Sequence, residues 1–378
     1  MIKIMSTNMD CDYYIKIKDD NNIFYVNKNV FLTEEILKQM AKYDKVEFCK
    51  TFNQPIDNLP SGLQSITFDF YSKFNQQVYN LPSGLESIVF GHHFNQSLDN
   101  LPLGLIKLNF VNKSKFNHSV DHLPQGLQSI TFGTDFNKPV NNLPSKLKSL
   151  TFGYNFNQPI DNLPVGLQSI TFNYYSLFNH SVDNLPSGLQ SLTFGHNFNQ
   201  SVDNLPSGLH CLTFNEYSVF NQSVNNLPSG LQSLTFGKIF NKPVDNLPVE
   251  LKSLTFIINS NFNQPIDNLP SGLQSLTFGN YFNQLVDNLP LDLENLIFGY
   301  MFNQPVNNLP NKLLNLTFDV CYNQKVHNLP QTLKNLRFGC SFNQLLDNIP
   351  LGLKRLTISE HYNKPIDKLS TSLEIIIY

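Results

Sequence analysis

The feature that most constrains this 378-residue chain is a period that never loses phase. Aromatic anchors stand at Phe52, Phe74, Phe94, Phe116, Phe136, Phe156, Phe178, Phe198, Phe220, Phe240, Phe262, Phe282, Phe302, Tyr322, Phe342 and Tyr362. Ten of the steps between them are twenty residues long and five are twenty-two. One unit reads Phe156-Asn157-Gln158-Pro159-Ile160-Asp161-Asn162-Leu163-Pro164-Val165-Gly166-Leu167-Gln168-Ser169-Ile170-Thr171-Phe172. The Asn after the anchor and the Leu at the Leu167 position occur in all sixteen units, and the Pro at the Pro164 position fails once, at Ser370. Self-similarity at such a period marks a stack of like supersecondary units, not two or three ordinary domains.

The end of each unit alternates. Ile170 and Phe172 are apolar and two apart, so they share one face of a short strand, while Ser169 and Thr171 point the other way. Pro164 cannot donate to a ladder and stays outside the strand, and Asp161-Asn162 supplies turn chemistry. The few large apolar side chains of one unit cannot offset the entropy of ordering some twenty residues. Each unit must bury its Leu and Phe between two neighbours, which is the logic of a solenoid. The recurring Asn, from Asn53 to Asn363, offers both a donor and an acceptor. It is therefore expected to serve interior backbone groups, coil after coil, because leaving them buried and unpaired is costly.

The unit Phe-Asn-Gln-Pro-Val/Ile-Asp-Asn-Leu-Pro-x-x-Leu-x-x-Leu-x-Phe-Gly resembles the FNIP repeat, a family found in amoebae and in giant viruses of amoebae. The resemblance runs over residues 52–378, although Gln, Lys or His stands in the third place. The unit is also similar to leucine-rich repeats in length and in its Leu-x-x-Leu-x-Leu-like core. It departs from them at the ladder, where their Asn would fall at Asn155 and the recurring Asn here is Asn157. The resemblance implies an interaction module, in some members joined to an adaptor domain such as an F-box, and no catalytic residues. The expected fold is mainly β with loops: a right-handed leucine-rich-repeat-like solenoid of about 16 coils with one short parallel strand per coil.

Residues 1–51 do not repeat and are expected to form a small α/β cap, with residues 52–378 as the solenoid. Tyr14-Ile15-Lys16-Ile17-Lys18 and Ile23-Phe24-Tyr25-Val26 flank a polar run, a hairpin signal. Thr33 is placed to cap a helix opened by Glu34 and Glu35, with Leu32 and Leu37 as a hydrophobic staple and Ile36, Leu37, Met40 and Ala41 on its apolar face. Val46 and Phe48 then mimic a repeat strand. A degraded adaptor domain recruiting a ubiquitin ligase is the alternative for this segment, but no Leu-Pro-headed helical pattern supports it.

Composition narrows the function. A net charge of −3 with interspersed signs carries no footprint for nucleic acid, and apolar runs fall far short of a membrane span. Five scattered cysteines, Cys11, Cys49, Cys211, Cys321 and Cys340, read as free thiols of a reducing compartment. The cytoplasm is the expected location, the host's if the chain is viral. The nine His lack metal spacing, and no phosphate loop or nucleophile elbow is present. The eleven Asp at the Asp161 position give way to Tyr79, Asn141, Asn225, Asn307 and His327, so they cap turns and do not bind calcium. Neither enzyme activity nor a cofactor is expected.

Variation concentrates after the strands. Five units carry two extra residues there, each insertion with Ser in its fourth place, as in Asn173-Tyr174-Tyr175-Ser176. Insertions in repeat arrays map to one edge, often the binding edge, and Tyr favours contact surfaces. Tyr71, Lys113, Lys115, Tyr174, Tyr175, Glu216 and Tyr217 are the candidate site for a protein partner, against the plainer alternative of a longer turn with packed Tyr. The Ser-x-Thr rows of the outer sheet face raise a third function, ordering of water or ice, which Lys107, Asn295, Asn315, Arg337 and Arg355 interrupt. In the last unit, counting from Tyr362 puts Ile375 and Ile377 where Ser and Thr usually stand. An apolar edge strand invites pairing, so a homodimer through this coil is a further expectation.

Overall fold

The computed structural model describes residues 22–366, 369–370 and 372–378. The chain divides into two compact units, with the division among residues 181–189. Each unit is a parallel β-solenoid with one strand per coil.

The first unit opens with β1 (Ile23–Val26), α1 (Glu34–Met40) and β2 (Lys45–Phe48). It continues with β3 (Ser65–Phe68), β4 (Ser87–Phe90), β5 (Lys107–Phe110), β6 (Ser129–Thr131), β7 (Ser149–Phe152) and β8 (Ser169–Phe172). Every neighbouring pair from β1 to β8 is parallel and in register, as in Ser149 opposite Ser169 and Leu150 opposite Ile170. The second unit holds β9 (Ser191–Phe194), β10 (Cys211–Phe214), β11 (Ser233–Phe236), β12 (Ser253–Phe256) and β13 (Ser275–Thr277). It ends with β14 (Asn295–Ile297), β15 (Asn315–Thr317), β16 (Asn335–Arg337), β17 (Arg355–Ile358) and β18 (Glu374–Ile377), again parallel throughout. The sixteen repeats thus give β3 to β18.

Burial follows the alternation. In β8, Ile170 and Phe172 are buried while Ser169 and Thr171 are half-buried on the opposite face. Two aromatic columns fill the interior. The Phe that closes each strand lies against the next anchor, as in Phe132 with Phe136 at 3.7 Å between ring centroids. Each anchor stacks on that of the following coil, as in Phe136 with Phe156 at 6.0 Å and 1°. Such stacked contacts add to the energy of area burial alone. Tyr322 stands in the anchor column, fully buried, and its hydroxyl has no hydrogen-bond partner. Burial pushes that phenol's pKa far above its ordinary value.

The Asn ladder is present, but it runs along a half-exposed edge instead of the interior. The Asn157 N–H donates to Asn137 Oδ1 (2.9 Å) and the Asn137 N–H to Asn117 Oδ1 (2.9 Å). In the second unit the Asn241, Asn263 and Asn283 N–H groups repeat this bond at 2.9–3.0 Å. In these bonds the Asn Oδ1 serves the same backbone position one coil on, and several also accept from a Gln side chain. Gln at the third place adds a strut, as Gln222 Nε2 does to the Asn199 carbonyl at 3.1 Å.

The N-terminal segment joins this pattern. β1 pairs with β2 in parallel, so Ile23–Val26 is a sheet strand whose described partner lies after it in sequence. The other arm of the expected hairpin, residues 14–18, lies outside the described residues. Asn29 Oδ1 accepts from the Asn53 N–H at 2.8 Å and is the ladder's first described rung. Thr33 caps α1, its Oγ1 accepting from the Ile36 N–H at 3.5 Å. Ile36 and Met40 are buried, Leu37 is half-buried, and Ala41 is exposed instead of lying on the apolar face.

The last strand departs from the count. Leu356 faces Ile375 and Ile358 faces Ile377, one residue off the repeat spacing. Ile375 and Ile377 therefore occupy the usual Leu and Phe positions, and Ile376 takes the Thr position. A slip by one residue exchanges the faces of a strand. Tyr378 folds back, its hydroxyl donating to the Phe338 carbonyl (3.1 Å) and its ring lying 4.9 Å beneath the Arg337 guanidinium.

Candidate functional site

The insertions form one kind of turn. In the first unit the Ser72 N–H donates to the Asp69 carbonyl (2.9 Å), Ser114 to Val111 (2.9 Å) and Ser176 to Asn173 (2.8 Å). In the second unit Ser218 closes on Asn215 and Ser260 on Ile257, both at 2.9 Å. All five serines are buried. Their hydroxyls accept the N–H of the following anchor, at 3.1 Å for Phe74 and 3.2 Å for Phe116, Phe178, Phe220 and Phe262. The sequence displayed this serine in every insertion, but its inward direction became evident only in the fold.

With the fourth residue turned in, the third is turned out. Tyr71 (51 % exposed) and Tyr175 (55 %) project from the first unit and Tyr217 (41 %) from the second. Asx side chains fix two of these turns: the Tyr71 N–H donates to Asp69 Oδ1 (2.8 Å) and the Tyr175 N–H to Asn173 Oδ1 (3.1 Å). Tyr71 forms an edge-to-face pair with Phe70 and Tyr175 another with Tyr174, both at 4.8 Å. The Lys50 ammonium lies 5.9 Å from the Tyr71 ring centroid. Lys113 and Lys115 are exposed, whereas Tyr174 and Glu216 are half-buried. Of the seven candidate residues, Tyr71, Lys113, Lys115, Tyr174 and Tyr175 belong to the first unit and Glu216 and Tyr217 to the second.

In each unit the edge that follows the strands carries further exposed apolar side chains. Tyr154 in the first unit, and Ile258, Tyr281, Tyr300 and Met301 in the second, are exposed immediately after their strands. All but Ile258 lie in twenty-residue coils, and comparing the place after the strand across every coil would have found them.

The Asp row is turn chemistry. Asp121 accepts from Ser119 and from Asn142 Nδ2 (3.0 Å), and Asp183 from Ser181 (2.7 Å) and from Asn204 Nδ2 (3.0 Å). These bonds, the serine's first, hold both carboxyls below the ordinary aspartate range. Among the described residues no group of three or more His, Cys, Asp and Glu is placed to hold a metal ion. Cys49, Cys211, Cys321 and Cys340 are free thiols, and Cys11 lies outside the described residues. No helix among the described residues is long and apolar enough to cross a membrane. The outer sheet face is not a uniform Ser/Thr array: Lys107, Arg337 and Arg355 break it, and Asn295, Asn315 and Asn335 link side chain to side chain at 2.6 Å.

The FNIP Repeat model matches residues 116–155, 139–175, 178–217, 220–259, 240–281, 262–301, 302–341 and 322–360. No curated protein sequence matches the chain. Among solved structures, the giant-virus protein CroV588, described as a novel circular LRR protein, is 36 % identical with a TM-score of 0.79. The match covers 96 % of this chain and 60 % of CroV588, so this chain spans less than two thirds of that protein's length. Internalin InlF from Listeria monocytogenes matches at 17 % identity and a TM-score of 0.49, over 80 % of this chain and 84 % of its own. YopM from Yersinia enterocolitica matches at 19 % identity and a TM-score of 0.45, over 94 % and 91 %. With matched stretches over more than half of its length, and with the anchors, ladder and strands that each repeat demands, the chain belongs to the FNIP-repeat family.

Proposed function

We propose that this chain is a non-catalytic protein-interaction scaffold that presents its partner with the edge following the strands. The observation that carries this reading is the serine-closed turn. Five buried serines hold five loops in one conformation, and the loops display Tyr71, Tyr175 and Tyr217 outward. Rigid aromatic side chains give up little rotamer freedom on docking, and Tyr is enriched at interfaces. Lys113 and Lys115 in the first unit, and Glu216 in the second, add charge beside those rings. The test is affinity capture from amoebal lysate with the wild-type chain and with a Tyr71→Ala, Tyr175→Ala, Tyr217→Ala variant of unchanged circular dichroism. A protein retained by the first and lost by the second supports the site; equal capture rejects it.

We infer that residues up to 51 cap the solenoid and that residues 52–378 are the repeat domain. The parallel pairing of β1 with β2 and the rung from Asn29 to Asn53 support this reading over a recruiting domain. The free thiols favour the cytoplasm, the host's for a viral chain. Self-association is assigned to β18, where Ile377 is 59 % exposed. Sedimentation that finds the wild type and Ile377→Lys equally monomeric removes that assignment.

A further inference from the structure

A second site, on the opposite edge of the coils, is visible in the first unit. Ahead of β7 a hollow of about 350 Å³ is lined by Gln128, Ser145, Lys146, Lys148 and Gly166. We propose that this hollow is a binding site for a phosphate group, presented as free phosphate or as a phosphomonoester.

The fold treats the same two positions differently in other coils. Ten of the sixteen coils place Gly where Lys146 stands, and Gln, in six of sixteen, is the commonest residue where Lys148 stands. In the second unit, Lys312 occupies the Gly position and is paired with Asp292 of the preceding coil at 2.6 Å. Lys252, Lys334 and Lys354 occupy the Gln position, and the first two donate to the carbonyls of Gly272 (3.5 Å) and Gly352 (3.3 Å) in the following coil. Lys146 and Lys148 have neither arrangement. The residue that precedes Lys146 by one coil is Gly126, so no carboxylate is available there. Lys148 lies one coil before Gly166 but makes no bond to its carbonyl. Both lysines therefore line one hollow that no carboxylate lines, although like charges placed together repel.

The remaining lining is also suited to an anion. Gln128 and Ser145, an amide and a hydroxyl residue, complete the lining with Gly166, and no carboxylate lines the hollow. The walls are held by hydrogen bonds: the Lys148 N–H donates to the Gln128 carbonyl (2.8 Å), the Gln168 N–H to the Lys148 carbonyl (2.9 Å), and the Ser145 N–H to the Gln125 side-chain Oε1 (3.2 Å). Two point charges with several neutral donors match a dianion with three or four acceptor oxygens better than a carboxylate. Because the lysines are exposed, binding is screened by salt.

The test is titration of the full chain with inorganic phosphate, phosphoserine and acetate at low ionic strength, followed by phosphorus NMR for the first two and calorimetry for all three. The expected dissociation constant for phosphate is on the order of a millimolar. Lys146→Ala and Lys148→Ala should each weaken it by about tenfold, whereas Lys252→Ala, at the same position of another coil, should leave it unchanged. Phosphoserine bound more tightly than phosphate points to a phosphorylated side chain as the natural source, and the reverse order to a free metabolite. Failure of wild type to bind either, binding of acetate equal to phosphate, or retention of binding in Lys146→Ala and Lys148→Ala overturns the site. The Tyr variant proposed above leaves this hollow intact, so the two sites fail independently.

Discussion

Two kinds of coil occur in each unit and enclose the same kind of interior. A twenty-residue coil turns sharply after its strand, and most carry Gly at that place because successive backbones approach too closely for a side chain. A Cβ on Gly153 would stand 1.8 Å from the Gly133 carbonyl oxygen, although no Gly has positive φ. A twenty-two-residue coil turns more widely and replaces that contact with an inward serine. The two are coupled, because a Cβ on Gly133 would fall 2.5 Å from Ser114 Cβ and one on Gly91 2.6 Å from Ser72 Cβ. Two extra residues thus leave the aromatic columns continuous, with Phe110 and Phe116 still 4.3 Å apart. The solenoid varies its edge without varying its core.

That contrast can be broken experimentally. The largest effect is expected from Gly153→Ala, where backbone must shift against backbone. It should cost about 3 kcal/mol, the upper end for overpacking, and lower the melting temperature, whereas Gly62→Ala, with nothing within 4 Å of the new carbon, should not. Next is Ser114→Ala, which strips the Phe116 N–H of its buried acceptor and should cost about 1–3 kcal/mol. Hydrogen exchange at Phe116 should accelerate, while Ser149→Ala on the outer face stays within about 0.5 kcal/mol. Equal melting of Ser114→Ala and Ser149→Ala would remove the distinction between inward and outward serines. Tyr322→Phe works in the opposite direction: deleting an unpartnered buried hydroxyl should leave stability unchanged or raise it by about 1 kcal/mol. The smallest effect is acid sensitivity of the turns built on Asp121 and Asp183. Their folded pKa values lie below the unfolded one. The contribution is therefore present above the ordinary aspartate value of about 3.9 and is lost as pH falls through the lower folded values. Asp121→Asn with Asp183→Asn should flatten that acid limb in a melting-temperature profile against pH.

The strands, their direction, the buried Leu and Phe and the outward Ser and Thr were all legible in the chain, because a side-chain period of two in a repeat of fixed length permits little else. Thr33 was legible as a cap for the same local reason. What escaped depended on neighbours in space. Ser114 and Ser149 are the same residue type in a polar context, and only the course of the turn sends one inward. Ile375 and Ile377 were assigned by counting, yet pairing with β17 set their faces. Asn29 sits outside every repeat and became recognisable as a rung only when Asn53 was found beside it. The exposed Tyr281 and Tyr300 stand in coils without an insertion, so length variation does not mark them.

The described rungs along the half-exposed edge point one way: the side-chain oxygen accepts a hydrogen bond from the backbone N–H of the turn that follows. A lesion such as Asn137→Ala therefore leaves residue 137 served and strands the amide of Asn157. The bond also takes no account of how many residues separate acceptor from donor, since it spans twenty in one case and twenty-two in another. A gene that gained or lost one whole turn would leave every acceptor facing an amide. Array length is free to drift over generations while each intermediate still folds.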